Sequence, residues 1–142
     1  MKALRIALLF LFAACFAPAA RAQDSTGAAK VYFVRNTGYN GMAIAFHCFI
    51  DSVRVCDLRN KHYSVHTVPA GDHTLNVTLY AKEIKTQKNT LTLSVEKDKI
   101  YYIKILPGKT YNYGGTFQLL SVAETTIKSV LADCKEQTDC LK

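Results

Sequence analysis

Histidine, cysteine and tyrosine are the side chains here whose types and spacing could do chemistry. His62 and His66 fall on one face of an extended segment. At strand rise they stand about 13 Å apart, too far to share a zinc ion whose nitrogens sit about 2.0 Å away. His66 and His73 flank Pro69 and Gly71 and would approach if that bend closes a hairpin. Two imidazoles without a thiolate or carboxylate make a poor metal site. No metal and no other cofactor is therefore expected, with His66 and His73 as the alternative pair. Their ordinary role would be hydrogen bonding to loop backbone at the rim. His47 and Cys48 are sequence neighbours, so on a strand they point to opposite faces and do not form a base and nucleophile. The sequence has no Gly-x-Ser-x-Gly elbow, no phosphate loop and no His-Glu-x-x-His. Asp51, Asp57 and Asp72 fall in turns or at strand ends, where aspartate has a structural task. No catalytic residue is assigned, and the chain reads as a non-enzyme.

Binding chemistry is better represented. Lys109-Thr110-Tyr111-Asn112-Tyr113-Gly114-Gly115 is a tyrosine loop, and tyrosine supplies amphipathic contact area at interfaces. Lys109, Tyr111, Asn112 and Tyr113 are the expected binding residues. The plain alternative is that these tyrosines fold back over the core edge. Lys82, Lys85 and Lys88 make a basic connector of the kind usually just solvated.

The first residues give an address. Lys2 and Arg5 precede an uncharged apolar run of eleven residues, Ile6 to Phe16, and Ala20-Arg21-Ala22 has small residues at the cleavage positions. This is the pattern of a secretory signal at residues 1–22, cut after Ala22. The run is shorter than the roughly 20 residues that span a bilayer, so no transmembrane helix is expected in the mature chain. Phe12-Ala13-Ala14-Cys15 supplies a minor alternative, a lipoprotein attached through Cys15. The expected location is periplasmic or extracellular. Losing Lys2, Arg5 and Arg21 lowers the net charge from +7 to +4. That excess is too small to argue for nucleic acid. An envelope protein or glycan is the expected partner.

Removal of the leader also takes Cys15 and leaves Cys48, Cys56, Cys134 and Cys140. An even count in an exported chain implies disulfides. Four cysteines allow three pairings, and sequence proximity favours Cys48–Cys56 with Cys134–Cys140. A two-residue turn at Asp51-Ser52 sets Cys48 against Val55, whereas a longer loop or a bulge sets it against Cys56. Four free thiols are the alternative to any bridge.

The elements that must position these residues are strands. Residues 23–29 read as a disordered lead-in. Val31 to Arg35 is a β-branched and aromatic strand. Met42 to Ile50 is apolar on nearly every residue and reads as a strand covered on both faces, returning through Val53 to Leu58. His62 to Val68, Asp72 to Tyr80, Thr90 to Val95, Ile100 to Ile105 and Thr116 to Val122 follow. Pro69 and Gly71 mark a bend, and Leu75, Val77 and Leu79 alternate with polar residues. Ile127, Val130, Leu131 and Cys134 fall at helical spacing, which predicts an amphipathic helix over 123–134 covering a sheet face or edge. The expected fold is an all-β sandwich, immunoglobulin-like or transthyretin-like, of seven or eight strands with one short C-terminal helix. Its domain spans 30–122, with a helix and a disulfide-closed tail at 123–142.

In order, Val31-Tyr32-Phe33-Val34-Arg35, the hairpin on Asp51-Ser52, Val68-Pro69-Ala70-Gly71-Asp72-His73-Thr74-Leu75, a charged turn and Tyr101-Tyr102-Ile103 resemble the bacterial family catalogued as domain of unknown function 2846. The resemblance runs over about residues 30–131. It implies a small exported β-sandwich and carries over no catalytic residue. Such proteins often have Asp-Gly where this chain has Asp51-Ser52, which leaves the turn type open. Two other readings remain: a small hydrolase or metal-binding protein using His66 and His73, and a structural accessory domain.

Overall fold

The computed structural model describes residues 27–39, 41–79, 90–108 and 117–141. The leader with Cys15 and Ala22, the lysine connector, and the loop with Lys109, Tyr111, Asn112 and Tyr113 lie outside the described residues. The elements in order are β1 (Ala28–Arg35), β2 (Phe46–Ile50), β3 (Val53–Leu58), β4 (His62–Pro69), β5 (Gly71–Thr78), β6 (Thr90–Val95), β7 (Ile100–Pro107), β8 (Phe117–Val122), α1 (Glu124–Ala132) and β9 (Lys135–Glu136). Two sheets form, β8-β7-β1-β4-β9 and β3-β2-β5-β6. The expected all-β sandwich is the observed architecture, with the two-residue β9 as an additional strand. No helix among the described residues is long and apolar enough to cross a membrane.

Period-two alternation decides what faces inward. On β1, Ala29, Val31 and Phe33 enter the main core, where they meet Phe46, Cys48, Leu75, Val77, Ile103 and Ile105 from both sheets. The expected lead-in therefore ends earlier than residue 29. Ala28 and Ala29 pair with Pro69 and Val68, and Ala29 is buried. Outward-facing Val34 and Tyr102 join Ile127 of α1 in a second cluster, with Tyr32, Tyr63, Val130 and Leu131 packed around it. Burying Ile127 contributes about 1.5–3 kcal/mol, enough to hold a short helix on the sheet face. The helix ends at Ala132, two residues before the expected Cys134, and Lys135 begins β9.

The Pro69-Gly71 bend is not a hairpin. β4 belongs to the first sheet and β5 to the second, so the chain crosses between layers there. Gly71 has φ +142°, in the range that L side chains rarely adopt, which fixes the need for glycine at this corner. Asn76, the acceptor position of an Asn-x-Thr triplet, is buried in β5 and donates to Thr90 Oγ1 at 3.0 Å, so it has no access to a glycan.

The β2–β3 hairpin turns on Asp51 and Ser52, with φ +49° and +69°. Positive φ at both central residues is what tight hairpin turns need, and serine is a poor occupant of that region. We expect Ser52→Gly to stabilise the fold by about 1 kcal/mol, read as a higher urea midpoint at unchanged slope. A lower midpoint would mean that the serine side chain supports the turn. After this two-residue turn the register shifts between Cys48 and Phe49, and Cys48 comes opposite Cys56.

Candidate functional site

The apolar run Met42 to Ile50 is not one strand. Only Phe46 to Ile50 joins the sheet, and residues 41–45 form turns. The cause lies at the end of β1. Arg35 keeps the inward parity of Val31 and Phe33, so its guanidinium enters the sandwich end and is fully buried. Its Nη1 donates to Ile44 O and Leu58 O, both at 2.7 Å, and its Nη2 donates to Gly41 O at 2.6 Å. The guanidinium carbon lies 3.3 Å from the centroid of the Phe46 ring, a cation–π contact in a desolvated site. One side chain thus satisfies backbone carbonyls of the β1–β2 connection and of Leu58, the last residue of β3.

Asn60 ties the same two segments together from the other side. Its Oδ1 accepts from Thr37 N at 3.0 Å and its Nδ2 donates to Gly38 O at 2.6 Å. Beside these ties lies an open groove of about 510 Å³, lined by Met42, Ala43, Ile44, Ala45, Arg59, Asn60, Lys61 and His62. On the outer surface Tyr39 is 92% exposed, Met42 61% and Ile44 51%. Three large apolar side chains are thus exposed within six residues, on a segment whose carbonyls at Gly38, Gly41 and Ile44 are held by Asn60 and Arg35. The sequence carried one signal for it: strand parity sends Arg35 inward, and a buried guanidinium needs several acceptors.

His66 and His73 are not brought together by a hairpin, since they sit on different sheets. His73 Nδ1 lies 2.6 Å from Asp51 Oδ2 and its Nε2 lies 2.9 Å from Pro69 O. Both partners are acceptors, so both nitrogens carry hydrogen and the ring is an imidazolium. Burial opposes that charge, but the Asp51 hydrogen bond, the Pro69 carbonyl and the Asp51 and Asp72 charges outweigh it and raise the His73 pKa. For Asp51, burial acts upward, while the Thr74 N–H and the bond and charge of His73 bring the carboxyl below its usual value. Asp51 Oδ1 also accepts from Thr74 N at 2.9 Å, so this pair pins the hairpin turn to β5.

The raised His73 pKa stabilises the fold fully below 6.5, the ordinary histidine value, and this is lost as pH rises through the folded pKa. The lowered Asp51 pKa stabilises above 3.8 and is lost as pH falls through its folded pKa. The pair therefore contributes most between these values. We expect Asp51→Asn to cost about 1–2 kcal/mol at pH 5.5 and visibly less at pH 8.5, measured by urea titration. An equal cost at both pH values would contradict the imidazolium assignment.

The expected disulfides are corrected. Cys56 bonds Cys140, 84 positions apart with Cα atoms 4.3 Å from each other, and Cys48 and Cys134 are free. The C-terminal tail explains it. Lys135 N donates to Lys61 O, Gln137 N to Tyr63 O, and Asp57 N to Cys140 O. Gln137 also accepts from Arg59 N through Oε1 and donates to Asp57 O through Nε2. The tail thus crosses from β4 in one sheet to β3 in the other and delivers Cys140 to Cys56. Cys48 faces Cys56 in register but stays a buried thiol, its pKa driven far up by burial. Cys134 packs with the second cluster under α1, its Sγ 3.7 Å from Arg35 O, away from Cys140 at the main core. His66 stands beside the bridge: one ligand atom each of Cys56, His66 and Cys140 lie within 4.8 Å of one another.

A family model described as "Protein of unknown function (DUF2846)" matches residues 25–115. No curated protein matches the chain. The matched span includes the corner, the hairpin, Arg35 and the groove, and ends before β8, α1 and the tail that carries Cys140.

Proposed function

This chain belongs to the DUF2846 family of proteins of unknown function, and from that premise we propose that it is an exported, non-enzymatic binding domain that holds a protein partner at the cell envelope. The observation that carries the reading is the exposed trio Tyr39, Met42 and Ile44 on a loop pinned by buried Arg35. Aromatic and methionine side chains are enriched in interface cores, and a loop fixed before binding loses little entropy on docking. Arg59, Lys61 and His62 line the adjoining groove and suit a partner segment with acidic residues beside apolar ones. Export is supported by the leader pattern of residues 1–22 and by the bridge between Cys56 and Cys140, a bond that persists in oxidising compartments.

A photo-crosslinking residue at position 39 in the full chain, expressed in the native cell, is expected to give one dominant protein adduct. That adduct should disappear in the Met42→Asp/Ile44→Asp variant while thermal stability stays unchanged, because both side chains are exposed. An adduct that persists in the double variant would refute the surface. The same residue at position 111 tests the tyrosine loop, and a specific adduct there but not at 39 would transfer the contact to that loop.

A further inference from the structure

Cys56, His66 and Cys140 come from three separate parts of the fold: β3 of one sheet, β4 of the other, and the C-terminal tail. Their ligand atoms nonetheless converge within 4.8 Å of one another. Ser64 Oγ, fully buried two residues before His66 on the same face of β4, holds the ring by Nε2 at 3.0 Å. A hydrogen-bonding partner that fixes the imidazole plane is a regular feature of metal-ligating histidines. Phe33 packs edge-on with the same ring, with centroids 5.9 Å apart.

We propose that reduction of the Cys56–Cys140 bond converts this cluster into a zinc site, with two thiolates and the His66 imidazole as ligands. In the reducing step a dithiol gives up two electrons and two protons. The sulfur–sulfur bond breaks, Cys56 and Cys140 become thiols, and the dithiol becomes a disulfide. Zinc binding then releases the two thiol protons to solvent. Zinc–sulfur distances near 2.3 Å and zinc–nitrogen distances near 2.0 Å set neighbouring ligand atoms roughly 3.5–4 Å apart. The cluster needs only side-chain adjustment to reach that spacing, because the Cα atoms of the two cysteines are already 4.3 Å apart. Two thiolates and one imidazole select a thiophilic ion over calcium or magnesium. Three protein ligands leave a fourth position for water or for a donor from outside. The ion would hold the tail across the sheets where the disulfide holds it in the oxidised chain.

The test uses residues 23–142 carrying Cys48→Ala and Cys134→Ala, so that only two thiols remain. The protein is reduced anaerobically with a phosphine, freed of reductant, and titrated with Zn²⁺ alone against a chromophoric chelator. Co²⁺ serves as the spectroscopic probe. The reduced protein is expected to bind one equivalent and to give thiolate charge-transfer and tetrahedral d–d bands with Co²⁺, while the oxidised protein gives neither. His66→Ala should weaken Zn²⁺ by about 100-fold or more, since even outer-shell changes cost 10–100-fold. His66→Asn serves as the second variant if alanine impairs folding. Equal affinity in the reduced and oxidised proteins, or affinity indifferent to residue 66, would overturn the site. So would binding only by a reduced chain that has lost its β-sheet circular dichroism, because ligation would then be local to two unfolded thiols.

Discussion

Arg35→Met should destabilise the protein by about 3–5 kcal/mol, the largest effect expected of any single substitution in the β1–β2 region. Two contributions oppose each other. Methionine removes the cost of keeping a cation dry, and such replacements are often neutral where the partner is another side chain that can be exchanged too. Here the acceptors are the carbonyls of Gly41, Ile44 and Leu58. Backbone carbonyls cannot be replaced by apolar groups; the Leu58 carbonyl is buried and costs about 1–3 kcal/mol if left dry, and the part-buried Gly41 and Ile44 carbonyls add to that. The packing against Phe46 is lost as well. The loss of three acceptor contacts therefore wins. Arg35→Lys is the discriminating companion. An ammonium on a single stem cannot present the arginine's planar fork to acceptors in the β1–β2 connection and at the end of β3. The lysine variant should keep its β-sheet signal, lose about half as much stability as the methionine variant, and show faster amide exchange over residues 41–45. A lysine variant with wild-type stability would mean that charge alone, and not the fork, holds the loop.

Removing the Cys56–Cys140 bridge is expected to cost up to about 4.5 kcal/mol in the chain-entropy account, because it closes a loop of 84 residues. Domains of this size have about 5–15 kcal/mol in total, so Cys56→Ala/Cys140→Ala takes a large share. The hydrogen bonds of Gln137 and of Asp57 with the tail survive on paper, but without the bridge they must order the tail unaided. Cys134→Ala should cost less than about 1 kcal/mol, since its thiol closes no loop. Non-reducing peptide mapping should give one cross-linked species joining the peptides of Cys56 and Cys140. A peptide joining Cys48 to Cys56 would contradict this connectivity, and a destabilising Cys134→Ala would point to the Cys134–Cys140 pairing.

Much of the framework was legible in the residues themselves. The β-branched and aromatic run Val31-Tyr32-Phe33 and the alternation of Leu75-Asn76-Val77 mark strands, and both segments contribute to the main core. Ile127, Val130 and Leu131 at helical spacing mark α1, and these residues meet the outer face of the sheet. Such signals are local, because burial of one face imposes the period of the element that presents it. The strand boundary at Phe46 was not legible, since Met42, Ala43, Ile44 and Ala45 are as apolar as the strand they precede. Apolar composition says that a segment favours burial, not that it attains it. What makes β2 begin only at Phe46 is a set of hydrogen bonds from Arg35, nine residues upstream of Ile44.

The sequence alone determined that this chain is a β-sandwich with a terminal helix, that Pro69 and Gly71 form a corner, and that no familiar catalytic motif is present. Tertiary structure alone decided which atoms meet. His66 and His73 flank one bend, yet the bend passes between layers and sends them to different sheets. Cys56 bonds Cys140 instead of its cross-strand neighbour because the tail lies across the gap between β4 and β3. The physical reason is the same in each case. Periodicity is set by residues two to four positions apart, whereas pairings across 84 positions depend on sheet order, which no local period encodes. For the histidines and cysteines, the packing of two sheets and one tail chose the partners.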